Sequence, residues 1–296
     1  MKIQRSMGEK IFDFFNILLL SLFGLLCLYP IIYITAMSFS DSWAILEGKV
    51  WLYPVGFHLD AYEIVFSDGN ILRSYLNTII YTTVGTLFNL TVVTCAAYPL
   101  SKKRLKGKHF FSLYFVFTIL FSGGLVPTFL VVQKLGFYNT IWAVTVPGAM
   151  SVFYMIILRT NFEQVPDALE EAAVIDGMSD FGIMTKIYMP LSKPIYAALT
   201  LFFAIGHWNS FFNAFIYLQD KSKFPLQVIL KEIVIANTMN DLGTSAVGSS
   251  AMEATKLLSE NLKCATIIVV MLPIMAVYPF VQKHFVKGMM IGAVKG

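Results

Sequence analysis

A group of acidic side chains between residues 167 and 180 is the part of this chain whose residue types come nearest to those of an enzyme. Two carboxylates at a suitable distance can act as general acid and general base. The sequence offers no nucleophile, metal cluster or cofactor motif beside them, and helix capping accounts for two of the five. A membrane enzyme is therefore a poorly supported function. The five acids are Asp167, Glu170, Glu171, Asp176 and Asp180.

Nucleotide, metal and disulfide chemistry are no better supported. The chain has no GxxxxGK[ST] sequence, the loop that cradles the phosphates of ATP, so we expect no ATP hydrolysis by the chain itself. The three cysteines, Cys27, Cys95 and Cys264, and the four histidines are scattered along the chain. They do not pair at the close spacing of metal or disulfide sites. We expect no metal and no bound cofactor.

The composition indicates that lipid is the main solvent of this chain. Of 296 residues, 57% are hydrophobic and 14% are charged, whereas roughly 25% of a typical soluble domain is charged. The first apolar run, Phe14 to Ser40, is too long for a secretory signal core and lacks a small-residue cleavage site, so we interpret it as an uncleaved first span. The formal net charge of +4 is modest, and we expect no nucleic-acid partner.

Six stretches reach the ~20 predominantly apolar residues that a helix needs to cross the hydrocarbon core. Few or no charged residues interrupt them. The sequence therefore predicts an all-α membrane protein with six transmembrane helices. The stretches run from Phe14 to Ser38, Tyr75 to Leu100, Phe110 to Gln133, Thr140 to Leu158, Pro194 to Leu218 and Cys264 to Gln282.

The lysines and arginines are unequally distributed between alternate connections. Fourteen of the 22 lie at the N-terminus, between Lys102 and Lys108, between Arg159 and Lys193, and after the last span. Because cytoplasmic connections are enriched in Lys and Arg, both termini are predicted to be cytoplasmic. The long segment 219–262, which contains an apolar and helical stretch from Leu226 to Ala236, is then extracytoplasmic.

The predicted cytoplasmic connection 161–193 is too long for a helix–helix turn and too regularly patterned for a linker. Pro166 precedes a helix start that Asp167 can cap, with Glu170 three residues further on as in a capping box. Side chains spaced i, i+4 and i+7 then form a narrow stripe of small and apolar residues. The stripe consists of Ala168, Ala172 and Ile175.

A glycine ends this helix. Gly177 supplies a left-handed stop after about ten residues, and Ser179 can cap a second short helix. We expect the second helix to end before Met189 and Pro190, because the residue before a proline disfavours helical backbone angles. The connection is thus predicted as helix, glycine turn, helix.

The spacing within this loop is specific. Glu171-Ala172-Ala173, three residues, Gly177, nine residues, then Ile187-x-Met189-Pro190 resembles the EAA motif of ABC importer permeases, in which leucine is usual at the position of Met189. The resemblance implies a coupling helix that docks in a cleft of an ATPase subunit. A surface helix without a partner is the alternative. The coupling residues implied are Glu170, Glu171, Ala172, Ala173, Asp176, Gly177, Ile187 and Pro190.

The resemblance extends over nearly the whole chain. Asn77-Thr78, the segment Ala97 to Ser101, the segment Gly123 to Thr128, Trp208-Asn209 and the tail 286–296 resemble carbohydrate permeases of the maltose type, and most of all the branch associated with complex oligosaccharides. This implies a single permease domain, residues 1–296, with the fold of type I ABC importers, in a bacterial cell membrane. It also implies a homologous second permease, two ATPase subunits that bind ATP and Mg²⁺, an extracytoplasmic solute-binding protein and a carbohydrate substrate.

Polar residues inside the predicted spans are candidates for a translocation path, because unpaired polar groups are costly in lipid. Asn209 and Asn213, four residues apart, are expected to share one face of the fifth span. Helix–helix packing through small and polar residues is the alternative role, and it stays open here. The candidates are Asn77, Thr82, His207, Trp208, Asn209 and Asn213.

Two further features stay open at the sequence level. Gly123, Gly124 and Pro127 in the third span predict a break that serves either as a gate hinge or as a packing kink. The Gly-rich tail 286–296 is either a frayed terminus or, as the resemblance implies, a strand that contacts the gap between the ATPase subunits. The tail residues of interest are Lys287, Gly292, Lys295 and Gly296.

A stand-alone secondary transporter or channel is the alternative function. Such proteins carry Asp, Glu, Lys or Arg in the middle of a span for ion coupling, and none of the six stretches has one there. The sequence therefore favours the permease subunit of an importer that is driven by ATP hydrolysis in separate subunits.

Overall fold

The computed structural model describes residues 6–67, 69–243 and 260–276, and every regular element in these ranges is a helix. The all-α prediction is therefore confirmed. The first seven helices are α1 (Met7–Ser38), α2 (Ser42–Leu46), α3 (Asp60–Ser67), α4 (Gly69–Ser101), α5 (Lys108–Leu120), α6 (Leu125–Lys134) and α7 (Ile141–Thr145).

The second half of the described chain alternates short and long helices. A π-helical turn, Met184–Tyr188, lies between α10 and α11, and a 3₁₀ turn, Lys221–Lys223, precedes α14. The remaining helices are α8 (Val152–Phe162), α9 (Asp167–Ile175), α10 (Asp180–Ile183), α11 (Met189–Leu191), α12 (Lys193–Trp208), α13 (Phe212–Tyr217), α14 (Leu226–Gly243) and α15 (260–276).

The chain forms two compact units. One comprises Met1–Gly69 with Leu230–Leu272, and the other comprises Asn70–Ile229 with Pro273–Gly296. In the first unit, α1 begins with a capping box: the Ser6 backbone N–H donates to Glu9 Oε2 at 2.8 Å, and the Glu9 N–H donates to Ser6 Oγ at 3.3 Å. Most apolar side chains of α1 are exposed, as expected of a helix that faces lipid.

Helix α4 organises the second unit. Its buried face carries a stripe of polar residues, Thr78, Thr86 and Asn89. Thr78 Oγ1 accepts a hydrogen bond from the Leu226 backbone N–H at 2.8 Å, so this stripe also fixes the start of α14. The helix predicted for the apolar stretch Leu226 to Ala236 is confirmed, because this stretch lies within α14.

Within the described residues, α1 and α4 are each long and apolar enough to cross a bilayer. The count rises to four if two bent pairs are each one span: α5 with α6, bent by 115°, and Asp180–Leu191 with α12, bent by 85°. The structure thus differs from the prediction of one helix each in the fourth and fifth stretches, which are divided between α7 and α8 and between α12 and α13. The sixth stretch begins within α15 and continues beyond the described residues.

The breaks have local causes. Gly124 and Gly148 have φ angles of +83° and +82°, a backbone region that a right-handed helix excludes and that glycine adopts without strain. Gly124 separates α5 from α6, and Gly148 lies between α7 and α8. The predicted break at Gly123 and Gly124 is therefore confirmed, and its role as a gate hinge remains a prediction.

Candidate functional site

The connection between α8 and α12 has the predicted order of helix, glycine turn and helix. Helix α9 ends at Ile175, and Gly177 has a φ of +77°. Ser179 caps α10, because its Oγ accepts a hydrogen bond from the Gly182 N–H at 3.3 Å. A left-handed glycine reverses the chain here without a steric cost.

The predicted N-terminal cap of α9 is wrong. Pro166 occupies the cap position and provides no side-chain hydrogen bond. Asp167 is the first helical residue, and its Oδ2 accepts from Lys103 Nζ at 2.7 Å, while Glu170 binds Lys102 rather than the cap backbone. The cations that follow α4 account for this, because a charge-assisted hydrogen bond is stronger than a neutral cap.

The predicted end of the second helix is also wrong. The helical segment continues through Met189 and Pro190 to Leu191 and breaks at Ser192. The π turn precedes the proline, and there the Met189 N–H donates to the Met184 carbonyl five residues back. The hydrogen bonds of a π turn reach one residue further back than those of an α-helix. The backbone before Pro190 is therefore wide enough for the proline ring, and the helical segment continues.

The three residues Glu171, Ala172 and Ala173 do not share one environment. Ala173 is buried in a cluster with Tyr98 and Phe162, whereas Glu171 and Ala172 are exposed. Ala173 therefore anchors α9 to its own chain, and Ala172 is free to contact another molecule.

The stripe predicted on α9 is exposed along its length. Ala168 and Ala172 are both exposed, and Ile175 at its end is 85% exposed. An apolar side chain that is almost fully in water and lies beside small residues marks a surface that can be approached closely. Of the other motif residues, Asp176 and Pro190 are exposed, and Ile187 packs partly buried against the Ala173 cluster.

A buried polar cluster holds the other face of α9. One oxygen of the Glu170 carboxylate, Oε2, accepts from Lys102 Nζ at 2.6 Å and from the Tyr188 hydroxyl at 2.7 Å. Arg104 approaches Oε1 at 3.5 Å. The Lys102 ammonium also lies 3.5 Å from the centre of the Tyr188 ring and 4.2 Å from that of Tyr98, a favourable cation–π geometry.

This cluster changes the ionisation of its members. Burial raises the pKa of the Glu170 carboxyl, but the hydrogen bonds from Lys102 and Tyr188 and the nearby positive charges outweigh burial, and its pKa is lowered below the ordinary value. Burial lowers the pKa of Lys102, and Glu170 partly offsets that effect. Each of the two groups therefore stabilises the charged form of the other against the effect of burial.

Further ion pairs join residues 102–108 to the acidic loop. Lys108 Nζ lies 2.9 Å from Glu163 Oε1, and Arg104 also pairs with Asp180. Together the two segments enclose a cavity of about 810 Å³, lined on one side by lysines and on the other by α9. Four of the five cations from Lys102 to Lys108 thus pair with acids of this connection, so residues that predicted the orientation of the chain also hold the loop.

The candidate path residues lie in different places. His207 and Asn213 line a polar cavity of about 260 Å³, and His207 Nε2 is 3.1 Å from the Asn89 amide nitrogen. Thr82 and Trp208 instead line a mainly apolar cavity of about 230 Å³.

Two of the candidate amides make bonds within the chain. Asn77 donates to the carbonyls of Ser222 and Phe224 at 2.9 and 3.1 Å, which ties α4 to the segment before α14. Asn209 donates to the Ile205 carbonyl at 3.0 Å. The expectation that Asn209 and Asn213 share a helix face is wrong, because α12 ends at Trp208 and Asn213 belongs to α13.

Comparison with known proteins identifies the chain. Residues 93–291 match the family described as the binding-protein-dependent transport system inner membrane component. This chain belongs to that family. It is a permease component of an ABC importer, and the matched region includes the whole of the α9 loop and every residue that lines the polar cavity except Asn89.

Relatives match the permease from end to end. LplC of Bacillus subtilis (strain 168) is 42% identical over 287 residues, 97% of this chain and 96% of LplC. The polygalacturonan/rhamnogalacturonan transport system permease protein YtcP of the same organism is 40% identical over 292 residues, 98% of this chain and 100% of YtcP.

A solved structure has the same fold. A chain in the crystal structure of a bacterial ABC transporter involved in the import of the acidic polysaccharide alginate is 36% identical, with a TM-score of 0.85 over 96% of this permease and 100% of that chain. The permease fold of type I importers is therefore confirmed.

Sequence reasoning missed three residues of these sites. Nothing local pairs Lys102 with Glu170, 68 positions away, or assigns Tyr188 to the same carboxylate. Asn89 lies within the second predicted span, and its place beside His207 follows only from helix packing. The tail residues Lys287, Gly292, Lys295 and Gly296 lie outside the described residues, so their contact with the ATPase stays a prediction.

Proposed function

We propose that this permease is one of two homologous membrane subunits of an importer that carries an oligosaccharide into a bacterial cell, driven by ATP hydrolysis in two separate subunits. ATP and Mg²⁺ would bind to those subunits, and an extracytoplasmic binding protein would deliver the sugar. The observation that carries the proposal is the division of α9 into one anchored and one exposed face.

The exposed face supports docking of an ATPase. Ala168 and Ala172 leave room for another backbone to approach, and Ile175 supplies an apolar contact. The opposite face, through Ala173 and Glu170, is held by the permease itself. A force applied to the exposed face would therefore reach α4 through Lys102, which follows that helix directly.

The orientation we propose has both termini in the cytoplasm. The ion pairs between residues 102–108 and the α9 loop support it, since two connections joined by salt bridges lie on the same side of a membrane. Residues 102–108 supply five lysines and arginines, the enrichment that is typical of cytoplasmic connections.

The relatives support a sugar as the cargo. YtcP is named for polygalacturonan and rhamnogalacturonan, and the alginate importer is described as importing an acidic polysaccharide. We therefore propose oligosaccharides released from such polymers as the substrate class, with trigalacturonate as the first compound to test.

Uptake in intact cells with and without the ATPase tests this function. We expect labelled trigalacturonate or an alginate trisaccharide to accumulate only when permease, partner permease, binding protein and ATPase are all present. An ATPase variant that binds but does not hydrolyse ATP is the matched control and should abolish accumulation. Uptake that persists in that control would instead indicate a secondary transporter or channel.

A further inference from the structure

Two interrupted helices of the second unit end at the same polar cavity. The break between α7 and α8 contributes Pro147, Gly148 and Ser151 to its lining, and the break after α12 contributes Ser210. Both breaks lie within predicted spans, where backbone that is not helical is tolerated only if it is buried in protein or lines a cavity. In many secondary transporters, helices interrupted in this way surround the substrate, and the two breaks here meet at one cavity in the same manner.

Asn89 lines the cavity and has a buried side-chain oxygen without a partner in the described part of the chain. The Asn89 side chain is 95% buried in α4, and its Oδ1 has no hydrogen-bond partner among the described residues. Its amide nitrogen lies near His207 Nε2. A buried amide oxygen without a partner is costly in a native protein and is commonly satisfied by a ligand or by water.

The ring of His207 is held in place by the close approach of α4. At Gly85 any side chain would collide with this ring, since an added Cβ would lie 2.5 Å from its Cε1. Glycine at this position therefore lets the imidazole lie between α12 and α4, next to Asn89. The polar wall of the cavity is thus fixed by packing and is formed before a ligand arrives.

The chemistry of the lining fits a sugar ring. Asn89, Asn213, Ser151 and Ser210 offer amide and hydroxyl groups, and Phe202 and Phe203 offer apolar faces. The lining residues, all of which the structure describes, include no Asp, Glu, Lys or Arg. Amide and hydroxyl groups beside aromatic rings match the hydroxyls and C–H faces of a sugar ring, and the asparagine N–H groups can also donate to the carboxylate of a uronate ring.

We propose that this cavity is a subsite for one sugar ring of the transported oligosaccharide, with Asn89, His207 and Asn213 as its polar contacts. The inference rests on the proposed function. At about 260 Å³, the cavity is smaller than the roughly 300–1,000 Å³ of sites that enclose a drug-sized ligand. It therefore holds one ring at a time while the chain of the sugar moves past.

A pair of variants tests the subsite in the complete importer. Asn213→Leu removes a lining amide, whereas Thr200→Val removes a hydroxyl that bonds within α12 and lies outside the cavity. We expect Asn213→Leu to raise the apparent KM for trigalacturonate uptake about two- to tenfold, the usual effect of one lost hydrogen bond. Thr200→Val should stay close to the wild type, and equal KM values in the two variants would overturn the proposal.

A labelling experiment covers the case in which Asn213→Leu does not assemble. Ser210→Cys, in a chain whose three cysteines are replaced by serine, places a thiol in the cavity lining. Saturating trigalacturonate should slow its reaction with a small neutral maleimide at least severalfold, and an unchanged rate during active uptake would refute the subsite. If the wild-type importer takes up no sugar, both the proposed function and the subsite are refuted. If it takes up sugar but the labelling rate is unchanged, only the subsite is refuted.

Discussion

Lys102 and Glu170 form an ion pair of 2.6 Å between the residue that follows α4 and the middle of α9, and their side chains are only 8% and 15% exposed. Ions taken out of water remain stable only when they are paired and hydrogen-bonded. Here the ammonium also lies over the Tyr188 ring, and the hydroxyl of that tyrosine donates to the carboxylate. The α9 loop is thus joined to a long membrane helix by charge as well as by apolar packing.

The first prediction concerns this pair. Glu170→Gln keeps the shape of the side chain but leaves the Lys102 ammonium without a counter-charge, so we expect a loss of about 1–3 kcal/mol in stability. The thermal midpoint of the detergent-solubilised importer should fall, and sugar-stimulated ATP hydrolysis should fall with it. Asp167→Asn is the matched control, because the Lys103–Asp167 pair is exposed and such pairs contribute little. Equal midpoints for both variants would show that the buried pair has no structural role.

The second prediction concerns pH. The pKa of Glu170 is lowered in the folded protein from an ordinary value of 4.5, so its carboxylate stabilises the fold above that value. This contribution is lost as the pH falls through the folded pKa, where the carboxyl takes up a proton. We therefore expect the difference in thermal midpoint between the wild type and Glu170→Gln to be constant above about pH 6 and to shrink at acidic pH. A difference that grows on acidification would contradict this sign.

The third prediction separates two neighbouring alanines. Ala172 is exposed and Ala173 is buried, so Ala172→Asp should insert and fold, whereas Ala173→Asp places a carboxylate in an apolar cluster and should lower the yield of folded protein. In the complex, Ala172→Asp should weaken binding of the ATPase by at least about tenfold, which corresponds to about 1.4 kcal/mol. Co-purification of the ATPase measures this, and Ala172→Ser is the small, tolerated control. Normal co-purification and uptake with Ala172→Asp would exclude α9 as the docking helix.

The fourth prediction uses the backbone of Gly177. Its φ of +77° is strained for other residues, yet no atom lies within 4 Å of the position that a Cβ would occupy. Gly177→Val should therefore act only through backbone strain of roughly 1–2 kcal/mol. Relief of this strain should change the angle between α9 and α10. Gly177→Asn should retain most uptake, because asparagine tolerates the left-handed region. Equal uptake in the two variants would show that the turn geometry is not needed.

The fifth prediction concerns orientation. A reporter enzyme fused after Arg104 should be active in the cytoplasm, and one fused after Gly243 should be active outside the cytoplasmic membrane. The ion pairs of Lys102, Lys103 and Lys108 with the α9 loop require the first of these positions to share a side with that loop. Reporters that both report the same side would contradict the proposed topology.

The sequence by itself determined the features that depend on short stretches of chain. The length of the apolar stretches predicted that the chain spans a membrane, because about 20 residues suffice to cross the hydrocarbon core. The left-handed turn at Gly177 and the Ser179 cap were predicted correctly, since each depends on a few adjacent residues. The motif around Ala172 indicated the family for the same reason, because all of its residues lie in one loop.

Tertiary structure alone decided which side chains meet. Spacing along the chain predicted that Asp167 and Glu170 would cap α9. In the structure they instead bind Lys103 and Lys102, because charge-assisted hydrogen bonds are stronger than a neutral cap. Likewise, helical periodicity placed Asn209 and Asn213 together, and the break after Trp208 separated them. The polar cavity joins Asn89 of α4 to His207 of α12 across 118 positions, a pairing that depends on how helices pack and that no short window of sequence contains.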